Sequence, residues 1–364
     1  MYHVVRPLFF SMNPTRAHSI VMSALGPVEG LAPLRALTRA AVRTTRDPRL
    51  EVRKMGLVFP SPIGLAAGLD KNADRARAFA SFGFGHVELG TVTAQAQAPN
   101  PFPNLFRLPA DRALINRLGF PNEGASVVAA RIARRKNGIL VPVGISIGKS
   151  RSVSLDPLDD ARNDYLASFR AVRSVADFVV INVSSPNTKD LRAMQAADVA
   201  RMLFDALLED AEQGGVRVPL LVKIAPDLDN EGIDAICDVA KNAGLSGIVA
   251  TNTTVSRDGL TTTNEELARI GAGGLSGKPL FLRSIEVVKR VRARVGSQMC
   301  VIGVGGVDSV DTALAMLRAG ADLVQVFTGF IYVGPTLPST IAHGLVARMD
   351  AAGAQSLAEL TASI

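Results

Sequence analysis

Cysteine, histidine and long apolar runs are all scarce in this 364-residue chain, and each shortage removes a class of protein. Two cysteines, Cys237 and Cys300, leave no disulfide scaffold and no cysteine-held cluster within the chain. Both sit in apolar surroundings, "AICDVA" and "MCVIGV", which predicts buried core thiols. The four histidines (His3, His18, His86, His343) are scattered, with no HxH or HExxH pair, so no metal site is expected. No run approaches the roughly 18 uncharged apolar residues that a spanning helix needs. The start also lacks a signal-peptide cleavage pattern. A chain that stays in the cytoplasm, at most lying on a membrane, is expected.

What is present is a globular balance, with 48% hydrophobic and 20% charged residues. The net charge of +7 is uneven. Residues 1–46 hold Arg6, Arg16, Arg35, Arg39, Arg43 and Arg46 against one acid, Glu29. A nucleic-acid binder carries its basic stripe across the main domain, so no nucleic-acid partner is expected. Local positive charge beside apolar residues suits an anionic membrane surface instead. Val4, Val5, Leu8, Phe9 and Met12 share a helical face, and Asn13-Pro14 reads as an N-cap with first-turn proline. Ala17, Ile20, Val21 and Ala24 then repeat at helical spacing. Residues 1–46 thus read as an amphipathic helical cap. It either packs on the main domain, 47–364, or enters a lipid interface and admits a lipid-soluble molecule.

From about residue 50 the pattern becomes a strand–helix alternation that can be counted. Short apolar runs at 63–67, 86–91, 142–147, 178–183, 219–224, 247–251, 300–304 and 322–327 read as buried parallel strands. Helical stretches follow at 71–82, 123–137, 159–176, 191–213, 230–243, 280–295, 309–319 and 338–350. Eight such units predict an α/β fold, a (β/α)8 TIM barrel with an N-terminal helical extension. Its active site is expected at the C-terminal strand ends. An open doubly wound sheet is disfavoured by the eight regular units and by the lack of GxGxxG after the first strand.

The strand ends carry the unusual residues: "AAGLDK" (66–71), "GTVT" (90–93), "GISIGK" (144–149), "NVSSPNT" (182–188), "VKIAPD" (222–227), "ATNTT" (250–254), "GVGG" (303–306) and "FTGF" (327–330). Stability alone does not call for Lys71 and Lys223 there, nor for amides at three others. The amides and hydroxyls of 182–188 are poor core material and good material for gripping a small planar ligand. The same residues also make ordinary turns. Two excursions, 92–141 with "NRLGFPN" and 252–299 with "GGLSG", exceed usual loop lengths and suggest lids or binding loops. Glycines ahead of two helices let backbone N–H groups approach a phosphate, which favours a phosphate-bearing cofactor. Lys223 reads in two ways, as a Schiff-base nucleophile or as a fixed cation under a flavin's anionic edge.

Taken in order, "GLAAGLDK", "GTVT", "LFRL", "NRLGF", "NVSSPNT", "VKIAPDL", "ATNTT", "GGLSG", "GVGG" and "TGFIY" make the chain resemble dihydroorotate dehydrogenase. Within that family it is similar to class 2, the membrane-associated, quinone-linked form. The motifs span nearly the whole chain, to about residue 345.

The resemblance implies oxidation of (S)-dihydroorotate to orotate in pyrimidine biosynthesis, with one FMN per chain and a membrane quinone as final acceptor. Ser185 matches the base that takes the proton from ring carbon 5 while a hydride leaves carbon 6 for the flavin. Class 1 members have cysteine there. Thr188 and Phe120 match the proton's exit path. Lys71, Asn116, Arg117, Leu118, Gly119, Phe120, Asn182, Asn187, Asn252 and Thr253 match the orotate pocket. Ala67, Gly68, Leu69, Asp70, Lys71, Thr91, Ser146, Asn182, Lys223, Thr251, Gly277, Gly306, Phe327 and Thr328 match the FMN contacts. His18, Arg107 and Tyr332 match the quinone passage. A monomer held peripherally at the cytoplasmic face of the bacterial cell membrane is the implied setting. A soluble class 1-like enzyme using fumarate or NAD is the alternative, and a non-catalytic membrane flavin-binding adaptor a second. Three positions depart from the family pattern: Ser146 and Pro121 where asparagine is usual, and Phe327 where some relatives carry tyrosine.

Overall fold

Eight parallel strands close on themselves, and their order round the ring is their order along the chain. The computed structural model describes residues 2–188 and 191–362; Met1, Lys189, Asp190 and the last two residues lie outside it, as does the side chain of His3. The barrel strands are β1 (Ile63–Leu65), β2 (His86–Val92), β3 (Val143–Ile147), β4 (Phe178–Asn182), β5 (Leu220–Ile224), β6 (Gly247–Ala250), β7 (Cys300–Val304) and β8 (Leu323–Val326). Helices cover the outside and side chains fill the inside, so every one of these residues is buried. That is why the strands read as continuous apolar runs rather than alternations.

The interior holds Phe178, Val180, Leu221, Val249, Ile302 and Leu323. A short hairpin, Val52–Lys54 with Leu57–Phe59, adds Phe59 to them at the N-terminal end of the barrel. The Phe59 ring stands edge-on to His86 at 5.5 Å and to Phe178 at 6.4 Å. Glycines make room for these rings: a Cβ on Gly64 would lie 2.1 Å from His86, and one on Gly144 2.3 Å from Phe178. The sequence reading did not anticipate this plug. Cys237 and Cys300 are free and buried, as expected.

Two helix expectations change. The helix expected over 71–82 shortens to Ala76–Ala80, because residues 70–75 fold around a carboxylate. Asp70 accepts hydrogen bonds from the backbone N–H groups of Asp74 and Arg75, each at 2.8 Å. The stretch expected over 191–213 divides into a 3-10 turn, Leu191–Gln195, and a helix, Ala197–Gln213. The two long excursions also meet. Leu105–Leu108 pairs with Ala113–Asn116, which pairs with Gly274–Gly277, giving an antiparallel sheet across segments 158 residues apart at Asn116 and Gly274.

Ahead of the barrel lie α1 (Tyr2–Ser11), α2 (Pro14–Ala24), α3 (Gly26–Gly30) and α4 (Ala32–Ala41). Asn13 caps α2 through its side chain, accepting from Thr15 N–H at 3.0 Å. Polar clasps dock these helices. Arg107 donates to the Met12 carbonyl at 2.7 Å, Arg6 to that of Tyr332 at 3.0 Å, and the buried Glu29 accepts from Ala78 N–H at 3.0 Å. Val4, Leu8, Leu31 and Leu37 remain exposed. Among the described residues no single helix is long and apolar enough to cross a membrane.

Candidate active site

A cavity of about 510 Å³ lies at the C-terminal strand ends and runs out beneath α1 and α2. Its inner part is polar, walled by Thr91, Asn182, Lys223, Thr251, Asn252 and Ser185. Its outer part is apolar, walled by Phe9, Val21, Met22, Leu25, Phe330 and Ile331. One chamber therefore joins the strand-end motifs to the helical cap.

The amides of the inner wall are wired together. Asn182 Nδ2 donates to Thr91 Oγ1 at 3.0 Å, while its backbone carbonyl accepts from the buried Tyr165 hydroxyl at 2.8 Å. Asn252 Nδ2 donates to Ser184 Oγ at 2.9 Å and to Asn182 Oδ1 at 3.2 Å, and its own Oδ1 accepts from Thr253 N–H at 2.8 Å. On the other wall, Asn187 Nδ2 donates to Asn116 Oδ1 at 3.1 Å. Ser185 sits between these two sets, and its Oγ accepts from Asn187 N–H at 3.2 Å. Side chains so constrained are preorganised and cost little further ordering when a ligand enters.

Charge is placed sparingly. Lys71 donates from Nζ to the Gly68 carbonyl at 2.6 Å, and burial lowers its pKa to about 8, with Asp70 opposing. Burial raises Asp70 to about 6, against the pull of its two backbone donors. His18 reaches down from α2, its Nε2–H donating to the Leu69 carbonyl at 2.9 Å. Burial and then the Lys71 charge lower its pKa, so it is neutral near pH 7. Arg107 lies 4.9 Å over the Phe10 ring at the outer mouth.

Gly277 and Gly306 approach from the remaining side, at φ 106° and 70°. A Cβ on Gly306 would come 2.5 Å from Phe281 Cβ, and one on Gly277 2.4 Å from the Arg112 carbonyl oxygen. Only glycine fits either turn. Helices Phe281–Val295 and Val310–Arg318 begin just beyond, with Thr328 Oγ1 beside them at 2.8 Å from Ser276 Oγ. Backbone N–H groups and a hydroxyl at helix starts form a cradle for a phosphate.

Most of the expected site residues line this chamber: Ala67, Gly68, Leu69, Lys71, Thr91, Asn116, Leu118, Gly119, Phe120, Asn182, Ser185, Asn187, Lys223, Thr251, Asn252, Thr253, Gly277, Gly306, Phe327, Thr328, His18 and Arg107. Five stand outside its wall. Asp70 anchors the loop after β1. Arg117 turns away, donating to the Ala272 carbonyl at 3.0 Å with its guanidinium 4.8 Å from the Phe106 ring. Ser146 is fully buried behind Thr91, hydroxyl to hydroxyl at 2.9 Å, because its side chain is too short to pass it. Thr188 is buried at the loop end. Tyr332 packs edge-on to Phe10 and donates to the Ala113 carbonyl at 2.9 Å. Several lining residues were not expected, Ser276 and Gln325 among them. Ser276 hid within a motif read for its glycines, whereas Gln325, a lone amide in the apolar run "DLVQVF", was a readable signal. Gln325 Nε2 donates to the buried Glu88 at 2.7 Å.

This architecture is shared with known proteins. The family model described as Dihydroorotate dehydrogenase matches residues 49–349. The curated "Dihydroorotate dehydrogenase (quinone)" of Rhodococcus erythropolis is 50% identical over 359 residues, 99% of this chain and 98% of the relative. That of Rhodococcus opacus is 49% identical over the same length. Among solved structures, DHODH from Eimeria tenella in complex with ferulenol superposes with a TM-score of 0.85 at 32% identity, covering 99% of this chain and 98% of that one. The chain belongs to the dihydroorotate dehydrogenase family, in its quinone-dependent class 2.

Proposed function

We propose that the chamber binds FMN and (S)-dihydroorotate side by side, and that the passage under α1 and α2 admits a quinone from a membrane surface. The observation that carries this reading is the continuity of the cavity, from the Ser185–Lys71 end to the His18–Arg107 mouth. FMN fits the donor set: the glycine cradle and Thr328 take its phosphate, and Lys223 meets the anionic edge of its ring. Bound there, FMN would supply the two-electron redox chemistry that links the pyrimidine substrate to a quinone.

The chain's own residues do the rest. Asn116, Asn182, Asn187 and Asn252 offer donors and acceptors to a planar pyrimidine, and Lys71 meets its carboxylate. Ser185 removes the proton from carbon 5. A hydroxyl is a weak base, so the proton must pass on to solvent, along a path lined by the Thr188 hydroxyl and the Phe120 ring. Amide donors and the two lysines stabilise the negative charge that develops beside the carbonyl. Phe120 closes the chamber from a loop held in place by Gln97, whose Nε2 donates to the Gly119 carbonyl at 2.8 Å. Exposed Val4, Leu8, Leu31 and Leu37, with the arginines of residues 1–46, rest on the cytoplasmic face of the bacterial membrane, so that a monomer draws quinone directly from the bilayer.

Anaerobic mixing with dihydroorotate tests the first half, and bleaching of flavin absorbance is the expected result. Adding a soluble quinone analogue, fumarate or NAD then tests the second. Recovery of colour with the quinone alone is expected; recovery with fumarate or NAD instead would identify a class 1-like acceptor.

A further inference from the structure

Arg192 lies outside the chamber wall, yet it touches the loops that carry the wall's key residues. Its Nε donates to the Ser184 carbonyl at 3.2 Å, after β4. Its Nη2 donates to the Thr253 carbonyl at 3.1 Å, after β6. The same nitrogen pairs with Asp227 Oδ2 at 2.8 Å, after β5. Both carbonyls lie one residue from groups that face the cavity, Ser185 on one side and Asn252 on the other. We propose that Arg192 is a positioning residue for proton removal, fixing Ser185 relative to the amide wall by tying the ends of β4, β5 and β6 together. This rests on the assignment of Ser185 as the base.

The surroundings match that role. Arg192 belongs to the 3-10 turn Leu191–Gln195, which is itself fastened to the end of β5. Gln195 Oε1 accepts from Ala225 N–H at 2.9 Å, two residues before Asp227. Asp227 also accepts from the hydroxyl of Thr254 and from Val255 N–H, at 3.3 Å for the latter, so the carboxylate is anchored to the β6 loop as well. Arg283 grips the β5 loop from the opposite side, donating to the Pro226 carbonyl at 2.9 Å and the Leu228 carbonyl at 2.7 Å. The Asp227 end is thus fixed, and the planar guanidinium transmits that fixed position to two carbonyls at once. A lysine ammonium, a compact point charge on a flexible stem, cannot hold the same fork. Without it, the 184–185 peptide loses the anchor on its carbonyl, and a shift of that peptide carries the Ser185 hydroxyl with it. A displacement of about 1 Å at a reacting group costs on the order of 100-fold in rate.

The test uses the FMN-loaded full chain with Arg192→Gln and Arg192→Lys, and follows the two half-reactions separately by anaerobic stopped flow. The limiting rate of bleaching by dihydroorotate should fall about 100-fold in both variants. Reoxidation of the bleached enzyme by a soluble quinone analogue should stay unchanged, and orotate should still bind when titrated against the flavin spectrum. Bleaching at the parental rate, or equal losses in both half-reactions, overturns the proposal in favour of a merely structural staple. If the Arg192 variants do not fold, Asp227→Asn replaces them: slower bleaching with parental reoxidation supports the proposal, and parental bleaching overturns it. A parent enzyme that never bleaches refutes the assignment of function instead, which separates the two failures.

Discussion

Ser185 Oγ accepts one hydrogen bond, from Asn187 N–H, and lines the cavity, so its own proton and remaining lone pair are available to a ligand there. Ser185→Ala should therefore abolish flavin bleaching by dihydroorotate near neutral pH while FMN remains bound; unchanged bleaching rules the assigned base out. Lys71 yields a pH-dependent prediction. Its folded-state pKa of about 8 lies below the usual lysine value, so the ammonium proposed to meet an anionic substrate is lost as pH rises through that point. Orotate affinity should then weaken about tenfold per pH unit above pH 8, and stay flat below it. Lys71→Met should bind weakly at every pH, without that break. A parental titration with no break near pH 8 would place the carboxylate elsewhere.

At the scale of elements, α1 and α2 hold the outer wall of the cavity, and α1, α2 and α4 leave apolar side chains exposed. The clasps between cap and barrel are charged or polar (Arg107 to Met12, Glu29 to Ala78, His18 to Leu69), so docking does not consume the exposed leucines. Leu8 and Leu37, 61% and 64% exposed, are large apolar side chains of the cap with much to gain from lipid. Burying a leucine contributes roughly 1.5–3 kcal/mol, so Leu8→Glu with Leu37→Glu should weaken cosedimentation with anionic vesicles at least about tenfold. Bleaching by dihydroorotate should be unaffected, because neither residue lines the chamber. Vesicle binding equal to the parent's would mean that another face meets the membrane.

For the whole molecule, the barrel floor sets an acid limit. His86 is fully buried between Phe59 and Phe178, and burial lowers its pKa to about 3. The unfolded chain therefore binds a proton that the folded chain refuses. Stability from this group is fully present above about pH 6.5 and is lost as pH falls toward 3. Between pH 7 and pH 5 the loss is about 2 kcal/mol. Asp70 works the other way: its pKa is raised to about 6, so its burial penalty is relieved as pH falls through that range. Denaturant titrations of the parent and of His86→Gln at pH 7 and pH 5 separate the two effects. The variant should lose less stability than the parent on acidification, and equal losses would remove His86 as the cause.

The sequence by itself determined the eight strands, the barrel and most of the residues that face its mouth. These are local properties: a strand buried on both faces must be continuously apolar, so a polar residue at its end stands out, and Asn13-Pro14 caps a helix whatever it packs against. Only the tertiary structure decided which strand-end side chains turn inward. Arg117 and Ser146 belong to matching motifs, yet one lies against Phe106 and the other is screened by Thr91. It also joined two distant excursions into one sheet, set Phe59 in the barrel floor, and converged three loops on Arg192. Those contacts depend on how segments far apart in the chain meet, and spacing along a single sequence carries no record of that meeting.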